Sequence, residues 1–133
     1  MTAELHLTRQ RMAVREVIQQ SDTHLSVQEI YDLARERLPG IAYATVYNSL
    51  AYLRTAGLVG EVHLRNGRAL FDRRTDRHDH LWCRRCGVVI DCQFPDVQVT
   101  QAAIADEAQF KIERAYVVAE GLCATCQGIA GSA

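Results

Sequence analysis

Apolar residues recur with helical spacing through the first half of the chain and with strand-like alternation through the second, and the change falls near residue 74. Val14, Val17 and Ile18 share one face of a helix expected over about residues 9–20, with Thr8 placed to cap it. Ser26-Val27-Gln28-Glu29 has the form of a capping box, and Val27, Ile30, Tyr31, Ala34 and Leu38 follow as the inner stripe of a second helix. Pro39-Gly40 stops that helix. A third is expected from about Tyr43 to Arg54, with Val46, Leu50 and Leu53 inward and Gly57 at its end. Leu58–His63 and Arg68–Asp72 then read as two strands around Arg65-Asn66-Gly67, because Asn-Gly is the commonest signal for a tight hairpin. Three helices followed by a hairpin make a winged helix.

Beyond residue 74, His80–Cys83 and Val88–Gln93 read as strands on either side of Cys86-Gly87. Pro95 opens a helix over about residues 96–108. Phe110, Ile112, Tyr116 and Val118 alternate closely enough to predict a last strand that delivers Cys123 and Cys126. The expected class is α+β: an N-terminal winged-helix domain over residues 1–74, then a small C-terminal α/β domain over 75–133. A segment of about 60 residues with three strands and one helix buries little core alone. It needs a staple and a partner to cover its sheet.

Composition changes this picture little. The 133 residues are 48% hydrophobic and 23% charged, ordinary values for one domain or two small ones. No apolar run reaches membrane-spanning length and no charged and apolar leader opens the chain, so a cytoplasmic protein with no membrane partner is expected. Five cysteines in a reducing compartment favour metal or reactive thiols over a disulfide frame. The net charge of −1 does not advertise a nucleic-acid binder, but a DNA reader needs only a local basic face.

The chemistry is concentrated between Phe71 and Cys92. Cys83-x-x-Cys86 has a counterpart in Cys123-x-x-Cys126, and two such pairs match a closed four-thiolate Zn2+ site. Redox-active pairs or disulfides are the alternatives, yet no βαβ pattern surrounds either pair. His78-Asp79-His80, flanked by Asp72 and Asp91, offers nitrogen and oxygen donors suited to Fe2+, Mn2+ or Zn2+. The alternative there is a solvated strand end that binds nothing. On the third helix, Thr45, Asn48 and Tyr52 face away from the inner stripe, with Tyr47 on its shoulder. Such side chains can meet base edges, while wing arginines such as Arg65 meet phosphate; the competing arrangement is a packed helical hairpin with Tyr47 in its core. Cys92 fits no motif and reads as a small buried hydrophobe, and His6 and His63 as surface residues without a role. Two further functions compete: a small zinc-dependent hydrolase, against which stands the lack of an extra general base, and a zinc-ribbon interaction module on a helical adaptor.

From Leu7 to Gln127 the chain resembles the ferric uptake regulator family of repressors. The matching pieces are Thr8-x-x-Arg11, Tyr31, Ala44-Thr45-Val46-Tyr47-Asn48-x-Leu50, Gly57-Leu58, His78-x-His80, Cys83-x-x-Cys86-Gly87 and Cys123-x-x-Cys126. The resemblance implies a homodimer that binds a palindromic double-stranded operator through its winged helices, a dimerisation domain holding structural Zn2+, and a regulatory Fe2+ or Mn2+ site between the domains. Its ligands would be His24, Asp72, His78, His80 and Asp91, and its metal would hold the two reading heads at the operator's half-site spacing.

Within the family the chain is most similar to the peroxide-sensing branch. Iron-sensing members commonly carry Glu in place of Asp72 and Asp91, and Arg in place of Asn48. Zinc-specific members add a cysteine to the regulatory site and nickel sensors add histidines. The resemblance implies release of DNA by peroxide through iron-catalysed oxidation of His24 or His78; the alternative is an iron-responsive uptake repressor without peroxide sensing. A further family metal site is expected to be missing, since Gln98 and Ala115 stand at two of its ligand positions.

Overall fold

The computed structural model describes residues 5–76 and 78–128 and divides the chain into two compact units, Met1–Asp76 and Arg77–Ala133. The first begins with α1 (Arg9–Gln19), where the Thr8 hydroxyl accepts the backbone N–H of Arg11 at 3.2 Å. At the start of α2 (Val27–Arg37) the capping box is complete: the Ser26 hydroxyl accepts from the Glu29 N–H, and the Glu29 carboxylate accepts from the Ser26 N–H. α3 (Tyr43–Thr55) follows. Val14, Ile18, Ile30, Ala34, Val46, Leu50 and Leu53 interlock between the three helices, each no more than 2% exposed. Burial of each Leu, Ile or Val contributes about 1.5–3 kcal/mol, enough to make this a core in its own right.

α3 ends in a left-handed glycine cap. Gly57, at φ +73°, donates to the Arg54 carbonyl, and Leu58 donates back to the Leu53 carbonyl. This cap absorbs Leu58 and Val59, so the first strand of the hairpin, β2 (Gly60–His63), starts two residues later than the apolar pattern predicts. The returning strand is β3 (Ala69–Asp72), and Gly67, at φ +88°, makes the turn between them. A short strand that periodicity does not predict, β1 (Leu25–Ser26), pairs on the other side of β3 and gives the sheet order β1-β3-β2.

In the second unit β4 (Asp79–Cys83) is central, antiparallel to β5 (Val89–Cys92) and parallel to β6 (Val118–Gly121). The parallel pair needs a crossover, which contains α4 (Val97–Ala108). The last strand is shorter than expected. Its register pairs His80 with Val118 and so runs out of β4 just before Val118, leaving residues 110–117 without regular structure and Phe110 67% exposed. A single-turn helix, α5 (Ala124–Gln127), closes the described chain.

Candidate metal centres and nucleic-acid interface

Cys83 closes β4, and the chain then reverses in a turn where Gly87, at φ +85°, donates to the Cys83 carbonyl. That reversal brings the Cys86 N–H to 3.5 Å from the Cys83 sulfur. Because β6 lies parallel to β4 with Gly121 beside Cys83, the chain leaving β6 carries Cys123 and, one helical turn later, Cys126 to the same place. All four Sγ atoms lie within 4.8 Å of one another, and Cys86 and Cys123 are 3.7 Å apart. A tetrahedral Zn2+ with Zn–S bonds of about 2.3 Å has sulfur–sulfur edges of about 3.8 Å. All five cysteines are free thiols in this structure.

Electrostatics favour a cation at this place. Backbone N–H groups of Cys86 and Cys123 lower the Cys83 thiol pKa to about 5, whereas the hydrogen bond that the Cys126 thiol donates to the Cys123 sulfur, and desolvation, push Cys126 up to about 12. Four sulfurs so close cannot all ionise unaided, and a dication lets them do so.

The imidazole and carboxylate donors form a compact group in each unit. In the first, the register of β1 on β3 pairs Leu25 with Phe71, and its continuation sets His24 opposite Asp72. His24 Nε2 lies 3.0 Å from Asp72 Oδ2, while Asp72 Oδ1 accepts the Arg74 N–H at 3.1 Å. In the second, His80 and Asp91 are paired across β4 and β5, and His78, two residues earlier, lies on the same side. Asp91 Oδ1 is 3.4 Å from His80 Nε2 and 3.6 Å from His78 Nε2, with the two imidazole centroids 4.5 Å apart. Ligand atoms bound about 2.1 Å from a tetrahedral or octahedral ion stand about 3.0–3.4 Å from each other. Donor type fits a borderline divalent ion in both groups, and the separations of 3.0 and 3.4 Å match that spacing while the 3.6 Å one lies slightly beyond it.

Asp79, the middle residue of the His-Asp-His triplet, points the other way. It is fully buried, and its two carboxylate oxygens accept the backbone N–H groups of Phe94 and Val117, each at 2.8 Å. The carboxylate thus ties β4 to the segments entering α4 and β6. Sequence reasoning missed this role, although strand alternation already sends residue 79 to the face opposite residues 78 and 80. Cys92, paired with Asp79 across the sheet, is half-buried and not fully buried as expected; burial, then the charges of Asp79 and Asp91, raise its thiol pKa. Gln98 is exposed and Ala115 half-buried.

On α3, Tyr47 is 60% exposed and Asn48 is exposed, with Thr45 half-buried beside them. Tyr47 is therefore no core residue. Arg65 and Arg68 are exposed on either side of the wing turn. Tyr52, expected among the outward readers, has another task. Its hydroxyl accepts the His6 N–H at 2.6 Å and its ring lies 3.7 Å beneath the Arg11 guanidinium, which also donates to the His6 carbonyl. Tyr52 and Arg11 pin the segment before α1 to the third helix. His63, expected to be idle, lies 2.9 Å from the Glu61 carboxylate, which also binds Arg54.

Residues 2–119 match the sequence model of the Ferric uptake regulator family. The peroxide-responsive repressor PerR of Staphylococcus aureus is 30% identical over 125 residues, 94% of this chain and 84% of that protein. Among solved structures, the Vibrio cholerae ferric uptake regulator superposes with a TM-score of 0.69 at 31% identity, covering 90% of this chain and 92% of that one. A zinc uptake regulator complexed with zinc and DNA gives a TM-score of 0.74 at 27% identity, covering 94% and 85%. By their names these three relatives are a peroxide-responsive repressor, a regulator of ferric uptake and a regulator of zinc uptake.

Proposed function

Since the chain belongs to the ferric uptake regulator family, we propose that it is a metal-dependent transcriptional repressor which, as a homodimer, holds double-stranded operator DNA and lets go of it on exposure to peroxide. The family is one of regulators, not enzymes, and the hydrolase alternative is withdrawn. Cys83, Cys86, Cys123 and Cys126 hold structural Zn2+. His24 and Asp72 from one unit, with His78, His80 and Asp91 from the other, hold regulatory Fe2+ or Mn2+. The observation that carries this reading is that each unit presents its imidazole and carboxylate atoms at or close to the mutual spacing of ligands on one ion, 3.0 Å in the first and 3.4 and 3.6 Å in the second.

DNA reading is supported by the outward side chains of α3, Thr45, Tyr47 and Asn48, by Arg65 at the wing, and by the related zinc uptake regulator bound to DNA. A homodimer is supported by what the second unit leaves uncovered. Among the described residues its buried hydrophobics are Trp82 and Cys83, while Ile90, Val99, Ile104 and Phe110 are between 47% and 71% exposed. A second copy covers such a surface best. Among the described residues no helix is long and apolar enough to cross a membrane, which fits work in the cytoplasm.

Fe2+ held by these residues would supply the electrons for reduction of peroxide close to its ligands, which Mn2+ would not. His24 and His78 would present oxidisable imidazole carbons there, and an oxygen added to either ring would spoil its use as a donor. The short carboxylates of Asp72 and Asp91 and the relative PerR favour peroxide over iron as the signal. The test uses DNA selected from a random pool by the Mn2+-loaded protein. Mild peroxide is expected to release that DNA from Fe2+-loaded protein, with one oxygen gained on a His24 or His78 peptide, and to leave Mn2+-loaded protein bound. DNA release with intact histidines, zinc loss and cysteine oxidation under both metals would replace this mechanism with thiol sensing, although thiolates tied to Zn2+ react slowly. Retention of DNA under both metals would favour iron as the signal, the reading nearer to the Vibrio cholerae regulator.

A further inference from the structure

Gly60 opens β2 directly across from Asp72. Its backbone is not in the left-handed region, so conformation alone does not require glycine there. Space does. A Cβ at position 60 would stand 2.1 Å from the Arg74 carbonyl oxygen and 2.5 Å from Asp72 Oδ1, whereas a Cβ on Gly40 would meet nothing within 4 Å. Both atoms in the way belong to one small arrangement. The Asp72 carboxylate turns back to accept the Arg74 N–H on Oδ1, which folds the Arg74 carbonyl over Gly60 and leaves Oδ2 facing His24 at 3.0 Å. Backbone cannot swing aside as the tip of a long side chain does. We infer that Gly60 is a positioning residue for the regulatory metal: the bare Cα is the floor on which the Asp72 carboxylate rests, and it fixes where the His24–Asp72 pair presents its donors.

This inference rests on Asp72 being a metal ligand, as proposed above. A methyl at position 60 displaces Oδ1, the Arg74 turn that holds it, and through them Oδ2. Loss of a group that orients a metal ligand typically lowers affinity by about 10- to 100-fold. The four-cysteine site belongs to the other unit and is untouched.

The experiment titrates Mn2+, which is redox-silent here, into zinc-loaded full-length protein by calorimetry, for the parent, Gly60→Ala, Asp72→Ala, the double variant and Gly40→Ala. Gly60→Ala is expected to weaken Mn2+ binding at least tenfold, with one zinc per chain and helical circular dichroism retained and Gly40→Ala unchanged. In the Asp72→Ala background the same change should cost nothing further, since there is no carboxylate left to misplace. Mn2+ affinity within twofold of the parent in Gly60→Ala, beside a clear loss in Asp72→Ala, would overturn the positioning role alone. An equal loss from Gly60→Ala in both backgrounds, or loss of helical signal, would assign the glycine to the wing's fold and overturn it too. Unchanged affinity in Asp72→Ala would remove the ligand assignment on which the inference stands.

Discussion

A carboxylate buried in a sheet is costly unless its oxygens are satisfied, and Asp79 meets that condition with two backbone donors. Hydrogen bonds to a charged acceptor contribute about 1.5–3 kcal/mol each, so Asp79→Ala is expected to destabilise the second unit by several kcal/mol. Asp79→Asn should cost less, because one oxygen remains to accept one of the two N–H groups while the new amide meets the other donor face on. Thermal unfolding and Mn2+ titration together check the placement. Both variants should lower the unfolding temperature before they touch metal affinity, whereas a tenfold affinity loss in a stable Asp79→Asn protein would make Asp79 a ligand. Nothing in the triplet His78-Asp79-His80 announces this division of labour except alternation. The donors that settle it, on Phe94 and Val117, are 15 and 38 residues away and come into view only with the register of β4. The same holds for His24, whose pairing with Asp72 depends on β1, two residues long and too short to leave a periodic signal. Family resemblance reaches His24; spacing does not. The thiol pairs are legible at once, since their spacing is itself the chemistry.

At the scale of elements, the helices of the first unit are legible to within a residue or so from caps and inner stripes, because Thr8, Ser26 and Glu29 act on backbone groups within one turn. Strand limits depend on neighbours and are less legible. The cap at Gly57 delays β2, and β6 begins only where β4 can meet it. In the proposed repressor α3 and the wing would divide the DNA task differently. An outward Asn can pair with a base edge, but an arginine at a turn meets phosphate, which is the same at every sequence. Asn48→Ala is expected to narrow the ratio between operator and random-DNA affinity, each lost bidentate base contact costing about 1–3 kcal/mol. Arg65→Ala should weaken both alike and flatten the salt dependence by up to about one unit of slope. Binding titrations across a salt series measure both effects, and equal losses of specificity from the two changes would remove α3 as the reader. Tyr52 belongs to neither class. Its hydroxyl and ring are engaged by His6 and Arg11, so its outward direction on a helical wheel misrepresents its surroundings.

For the whole molecule the two units differ in what holds them together. The first has an interlocked apolar interior, with Ile18, Ile30 and Leu53 wholly buried, and needs no metal to keep its fold. In the second no residue of α4 is buried, and among its described residues the buried hydrophobics are Trp82 and Cys83. Four thiolates on the proposed Zn2+ would close that gap, since free energy of about 10–16 kcal/mol released on binding structural Zn2+ is folding free energy when no site exists in the unfolded chain. Removal of zinc by a chelator, or Cys83→Ser, is therefore expected to unfold the second unit and leave the first. Because the apolar surface proposed to join two copies lies on the second unit, the dimer should dissociate in the same step. Circular dichroism should retain the signal of α1, α2 and α3 while that of α4 and the sheet disappears, and sedimentation should shift from dimer to monomer at the same chelator concentration. A zinc-free protein that stays dimeric, keeps its full circular dichroism and binds DNA with parental affinity would show that packing alone sustains the second unit and that the four cysteines do not hold a structural ion.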